Sequence, residues 1–196
     1  MSEGATRSPR RDAVRNRELL LDSAQRLLRE RGTKVSSLAI TEGAGLAAGT
    51  LYRHFPTRED LLAALSERSF GVALEHAREA AESGRPAPEA LLVFLQRTIE
   101  RREELMMMPL HGGPLPLGET AAKLRAEIRV ELDRVLARGR EEGSLRSDFT
   151  SNDVILFGAL LAQALPHAPD WEAAARRQAT IYVRGLQADG TTLGPR

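Results

Sequence analysis

LAITEGAGLAAGTLYRHFPTR, residues 38–58, holds two short apolar repeats set apart by a glycine. Ser37 is placed to cap a first short helix that buries Leu38, Ile40 and Ala44. Gly45 supplies a tight turn and Leu46 starts the return to the core. A second helix, Ala47 to His54, buries Leu51 together with the following Phe55 and turns Thr50, Tyr52, Arg53 and His54 outward. Two short helices joined by a glycine turn make a helix-turn-helix, whose second helix enters the DNA major groove. An ordinary helical corner uses the same residue types, so spacing alone leaves both readings open.

Either side of this stretch the pattern is helical throughout. Leu20, Ala24, Leu27 and Leu28 form one stripe of a helix from about Val14 to Arg31, stopped by Gly32. Thr57 opens a long fourth helix through a Thr-Arg-Glu-Asp capping box behind Pro56. Leu61, Leu62, Leu65, Val72 and Ala73 carry that helix onward to Ser83-Gly84-Arg85-Pro86. A fifth helix is expected over Pro88–Glu104. The run MMMPLHGGPLPLG, residues 106–118, has too many prolines and glycines to continue it. Helices resume from Glu119 to Gly143, from a Thr150 capping box to Pro166, and from Asp170 to Gln187. No strand or repeat is evident, and the fold class is all-α.

Composition agrees with this. Of 196 residues 42% are hydrophobic but only 4% aromatic, and there is no cysteine, which excludes disulfides and thiolate metal sites. No apolar run approaches the roughly 18 residues that span a bilayer. The arginines near the N-terminus precede no apolar h-region, so no secretory signal and a cytoplasmic location are expected. The net charge of +1 conceals a division. Residues 1–58 hold 11 basic and 6 acidic residues, leaving 17 and 21 for the remainder. A basic head on an acidic body suits a protein of which one end meets phosphate. Residues 1–12 are polar and aperiodic and read as a disordered basic arm; residues 13–56 read as the helix-turn-helix domain, 57–188 as a helical body and 189–196 as a loose tail.

The segment AGLAAGTLYRHFPTREDLL resembles the end of the TetR-type DNA-binding domain: a small residue, Gly, Thr, Leu, Tyr, any residue, His, Phe, then a capped helix. Leu20, Leu21, Ala24, Leu27, Leu28 and Arg31-Gly32 sit where the TetR/AcrR family places its first-helix core and glycine stop. The resemblance covers roughly residues 14–65. It implies a homodimeric DNA-binding regulator, usually a repressor, with double-stranded palindromic DNA and a small apolar effector as partners. Ser37, Ala47, Ala48, Thr50, Tyr52, Arg53, His54 and Arg58 are the candidate DNA-facing residues. Of these, Tyr52 and His54 match the family's Tyr and His and imply phosphate contact. Thr50 has a hydroxyl for a base edge, while Ala48 offers only apolar contact. Many relatives carry Ser or Lys where Ala47 and Ala48 stand, which shifts weight from direct to shape readout.

The body is then expected to dimerise and to sense a ligand. The stripes Val154, Phe157, Leu161, Leu165 and Trp171, Ala174, Gln178, Ile181, Tyr182 are candidates for a four-helix interface between two copies. Leu95, Met106, Met107, Met108, Leu110, His111, Ile128, Leu132 and Phe157 are candidates for lining a pocket with one polar anchor. No cofactor and no metal are expected, since His54, His76, His111 and His167 form no His-x-x-x-His pair. Two other classes stand beside this reading: a helical DNA binder without a ligand, and an all-α enzyme. The second lacks any phosphate loop or nucleophile elbow.

Overall fold

The computed structural model describes residues 9–105, 118–163 and 169–188, apart from the side chains of residues 9 and 33. Expectations placed on Met106, Met107, Met108, Leu110, His111 and Leu165, and on residues 1–8 and 189–196, lie outside the described residues. Eight α-helices occur among the described residues: α1 Pro9–Arg31, α2 Ser37–Gly43, α3 Thr50–His54, α4 Arg58–Glu82, α5 Ala87–Glu100, α6 Glu119–Glu141, α7 Ser151–Leu161 and α8 Trp171–Gly185, with a 3-10 turn at Gly32–Lys34. The only extended pairing among them is one isolated antiparallel bridge between Leu145 and Gln187. The all-α expectation is met. Two compact units divide between Ser66 and Glu67, so α4 begins in the first and ends in the second.

In the first unit α1 buries Leu20, Leu21, Ala24, Leu27 and Leu28, the residues its 3.6-residue period selects. The helix starts five residues before the expected Val14, so residues 9–12 are helical and not part of a disordered arm. Proline at the first helical position presets the backbone, and Asp12 in the first turn complements the helix dipole. The α2 helix departs from expectation in two ways. Its cap is Ser36, whose Oγ accepts from the Ala39 amide at 3.2 Å, and not Ser37. Leu38, expected in the core, is 55% exposed, while Thr41 is buried. Thr41 tolerates burial because its hydroxyl donates to the Leu38 carbonyl at 2.9 Å.

Close approach fixes α2 against α1. The Ser23 hydroxyl donates to the Ile40 carbonyl at 2.8 Å in a buried bond. A Cβ on Gly43 would stand 2.5 Å from Ser23 Oγ, so only glycine fits there, which outweighs its helix cost of about 1 kcal/mol.

The second unit is organised around α5, which packs on α6, α7 and α8. Leu91, Leu95 and Ile99 of α5 meet Leu132, Val135 and Leu136 of α6, Val154 of α7 and Ala175 and Ala179 of α8. Each fully buried Leu or Ile contributes about 1.5–3 kcal/mol. The capping box at Thr150 forms as the sequence indicates, with the Thr150 amide and hydroxyl both donating to Asp153 at 2.8 Å. The α5 helix ends at Glu100, four residues early, in hydrogen-bonded turns to Leu105.

Candidate nucleic-acid interface

The site is built by the turn between α2 and α3. Gly45 adopts φ +67°, a conformation that costs other residues, and Leu46 N–H then donates back to the Thr41 carbonyl at 2.9 Å. The chain leaves this turn through Ala47, Ala48 and Gly49, all exposed. A single backbone bond from the Thr50 amide to the Ala47 carbonyl, 2.9 Å, leads into α3. The second helix therefore starts at Thr50 instead of Ala47.

That later start changes which side chains are presented. Thr50 does not face outward as expected; it is 9% exposed, packed inward at the first position of the short helix. Leu51 and Phe55 are buried as foreseen, and Tyr52 and Arg53 are exposed. His54 is half-buried. Tyr52 Oη donates to Ser37 Oγ at 3.1 Å, joining the exposed face of α3 to the first turn of α2. Phe55 is covered by the Arg17 guanidinium, 5.2 Å from the ring centroid, so α1 also braces the end of α3.

The start of α4 closes the frame. Thr57 N–H and Oγ1 both donate to Asp60 Oδ2, at 2.9 and 2.8 Å, and the Asp60 amide returns a bond to Thr57 Oγ1 at 3.1 Å. Arg58 is half-buried, and its Nη1 donates to the Val35 carbonyl at 2.9 Å. Its guanidinium thus ties α4 to the segment before α2. Arg53 has no ion pair among the described residues, and neither do Arg10, Arg11 and Arg15 on the exposed start of α1. Arg10 and Arg11, read from the sequence as part of a basic arm, stand instead on this helix together with Arg15.

In the second unit the candidate interface residues separate into two sets. Val154 and Leu161 are buried in the unit's own core and are not available on its surface, which corrects their assignment. Trp171, Ala174, Phe157 and Tyr182 are half-buried, and Gln178 is exposed. Leu156, Leu160 and Ile181 are 58%, 53% and 60% exposed. Leu156 and Leu160 were missed because α7 reads VILFGALL, apolar on every side, so periodicity could not choose its outer face. Phe157 stacks on Tyr182 with centroids 3.9 Å apart and planes 11° apart, joining α7 to α8. Burial, with Asp153 nearby, pushes the Tyr182 phenol up to about 12.

The candidate pocket residues Leu95, Ile128 and Leu132 lie in the packed core of this unit, and Phe157 lies in the stack. A groove of about 460 Å³ is lined instead by Glu79, Arg85, Gln96, Arg97 and Glu100 among others, on the α4 and α5 surfaces. Among the described residues no group of three His, Asp or Glu gathers to hold a metal, and no helix is long and apolar enough to cross a membrane.

A glycine-turned helix pair braced by α1 and capped α4, together with a second helical unit, defines the class of helix-turn-helix proteins with a helical C-terminal domain. Residues 20–65 match the family described as bacterial regulatory proteins, tetR family. Residues 86–188 match the C-terminal domain described as transcriptional regulator SbtR-like. The chain belongs to the TetR family of transcriptional regulators, a family of regulators and not of enzymes. It is 34% identical over 136 residues to the HTH-type transcriptional regulator AcrR of Shigella flexneri, covering 65% of this chain. The matched stretch spans only 62% of that relative's own length. A TetR transcription regulatory protein from Mycobacterium vanbaalenii superposes with a TM-score of 0.62 at 27% identity, covering 92% of this chain and 99% of that one. The TetR transcriptional regulator SCO0520 from Streptomyces coelicolor gives 0.57 at 26% identity, covering 89% and 99%.

Proposed function

We propose that this chain is a homodimeric transcriptional repressor that binds a palindromic duplex operator and is released by a small, largely apolar molecule. Residues 13–56 would serve as the DNA-binding head and 57–188 as the sensing and dimerising body. The observation that carries the reading is the smooth exposed ridge Ala47-Ala48-Gly49 beside exposed Tyr52 and Arg53. Such a ridge lets the backbone approach a groove wall, while Arg53 and the α1 arginines supply phosphate contacts. Tyr52 and Ser37 act as a hydrogen-bonded pair toward phosphate, with His54 beside them. Arg58 positions the motif, and Thr50 supports it from within. Specificity then rests on groove shape and methyl contacts more than on hydrogen bonds to bases.

One head covers too little surface for a selective site, so two copies related by a two-fold axis are required. The exposed Leu156, Leu160 and Ile181, and the Phe157–Tyr182 stack that joins α7 to α8, support pairing through these two helices. Half-sites about one helical turn apart follow. Effector binding in the body is passed on by α4, the helix that begins in one unit and ends in the other. The ligand shifts the balance only by its differential affinity for two states. No catalytic role is assigned to any residue, and the protein is read as cytoplasmic.

The test is selection of bound duplexes from a random pool by the purified protein. Enriched sequences with two-fold symmetry, bound by a dimer, are the expected result. Enrichment of a single asymmetric half-site, or no binding at low salt, would overturn the proposal.

A further inference from the structure

The second unit buries an imidazole that no described residue satisfies. His76 of α4 is 1% exposed, and neither Nδ1 nor Nε2 has a hydrogen-bond partner. Buried polar groups are rarely left in that state, because each gives up water without compensation. The same end of the unit holds other buried nitrogens without a bond. These are Arg102 Nε, in the turn after α5, and Trp171 Nε1, at the start of α8. They are neighbours, since Arg102 Nη1 pairs with Glu172 at 3.4 Å, the residue after Trp171.

The apolar packing is also divided there. Val72 of α4, Leu105 and Ala162 form a small buried cluster apart from the main core, and Val72 lies one turn before His76 on the same face of α4. Leu105 follows Glu104, whose carboxylate and His76 lie close enough to influence each other. A polar group without a partner therefore stands beside a satellite of apolar side chains.

We propose that His76 is the polar anchor of the effector site, hydrogen-bonding an uncharged hydroxyl or carbonyl oxygen of a molecule whose apolar body lies against Val72, Leu105 and Ala162. This rests on the ligand-responsive reading given above. The chemical class follows from the charges that face the imidazole. Burial first, and then Arg101, hold its pKa below the ordinary value against the opposing Glu75, Glu79 and Glu104, so near pH 7 it is neutral. Arg101 is already held by Glu75 at 2.9 Å and Glu104 at 2.6 Å, and Arg102 faces Glu103 and Glu172. No free cation remains among these to neutralise a carboxylate, which would then be buried uncompensated.

The experiment uses the full chain and three probes that share one propylphenyl body: 4-propylphenol, propylbenzene and 4-propylbenzoate. Trp171 is the only tryptophan, so its fluorescence reports binding, and imidazole resonances of the four histidines report the contact. The phenol is expected to bind about tenfold tighter than either of the others, the effect of one buried hydrogen bond, and to move the His76 resonance. In His76→Leu the phenol and the hydrocarbon should bind alike, while His76→Gln, which keeps a donor and an acceptor, retains part of the preference. His76→Leu should also raise Tm, since it removes an unsatisfied group; a lower Tm would mark a structural histidine and overturn the assignment. So would tightest binding of the benzoate, a phenol preference that survives His76→Leu, or no binding of any probe at about 1 mM with the resonance unmoved. A protein that still selects a symmetric operator after any of these would lose only the anchor. Failure to bind duplexes would remove the regulator reading, whatever His76 does.

Discussion

The α2–α3 turn and the outer side of α7 and α8 are both exposed, yet they are exposed in opposite ways. The turn and the five-residue helix after it present small residues, a tyrosine hydrogen-bonded to Ser37 and an arginine with no ion pair among the described residues. The α7–α8 side presents leucine, isoleucine and a pair of stacked aromatic rings. A surface that meets phosphate gains from charge and from backbone that can come near. A surface that meets protein gains from apolar area removed from water. The two surfaces thus suit the two different partners of the proposed function.

The strongest way to break this contrast is at the apolar side. Leu156→Asp with Leu160→Asp should turn a dimer into monomers in sedimentation and lower operator affinity by about 100-fold or more, through loss of the second head. Unchanged affinity in a monomeric variant would show that one head suffices. Gly43→Ala should be costly in the head alone. Its Cβ would collide with Ser23 Oγ and disturb the bond to Ile40, lowering stability by about 1–3 kcal/mol in denaturant titration.

Two arginines sharpen the comparison within the head. Arg53→Ala should weaken all duplexes several-fold, lower the salt slope by about one and leave Tm unchanged, because its side chain has no partner among the described residues. Arg58→Ala should lower Tm as well, since Arg58 holds the Val35 carbonyl.

The smallest effect belongs to the ion pairs of the body. Hydrogen bonds from Arg101 hold Glu104 below its ordinary 4.5, and bonds from Arg176 and Arg102 do the same for Glu172. A depressed carboxylate stabilises the fold above its unfolded pKa, and that contribution is lost as pH falls through the folded value. These pairs are largely exposed, so the loss below pH 4.5 should lower Tm by only about one or two degrees.

Local signals reached some of these features and not others. The capping boxes at Thr57 and Thr150, the Gly45 turn and the α1 stripe are legible because each depends on residues within four positions. The cap at Ser36 rather than Ser37, and the outward Leu38, were not legible. Both serines can cap, and the choice is made by how α2 lies on α1. The candidate DNA surface lost Thr50 to the interior for a related reason: a helix that begins three residues later rotates its faces. Nothing in the sequence marked His76 as a group without a partner, since four histidines look alike in a string.

The sequence alone determined the helical class, the glycine turn and the family of the head, because helix period, caps and positive φ are properties of a few neighbouring residues. Only the tertiary structure decided which side of α7 is core, which hydroxyl caps α2 and which imidazole lacks a partner. Those depend on what lies across from a residue, and distant elements of the chain supply it.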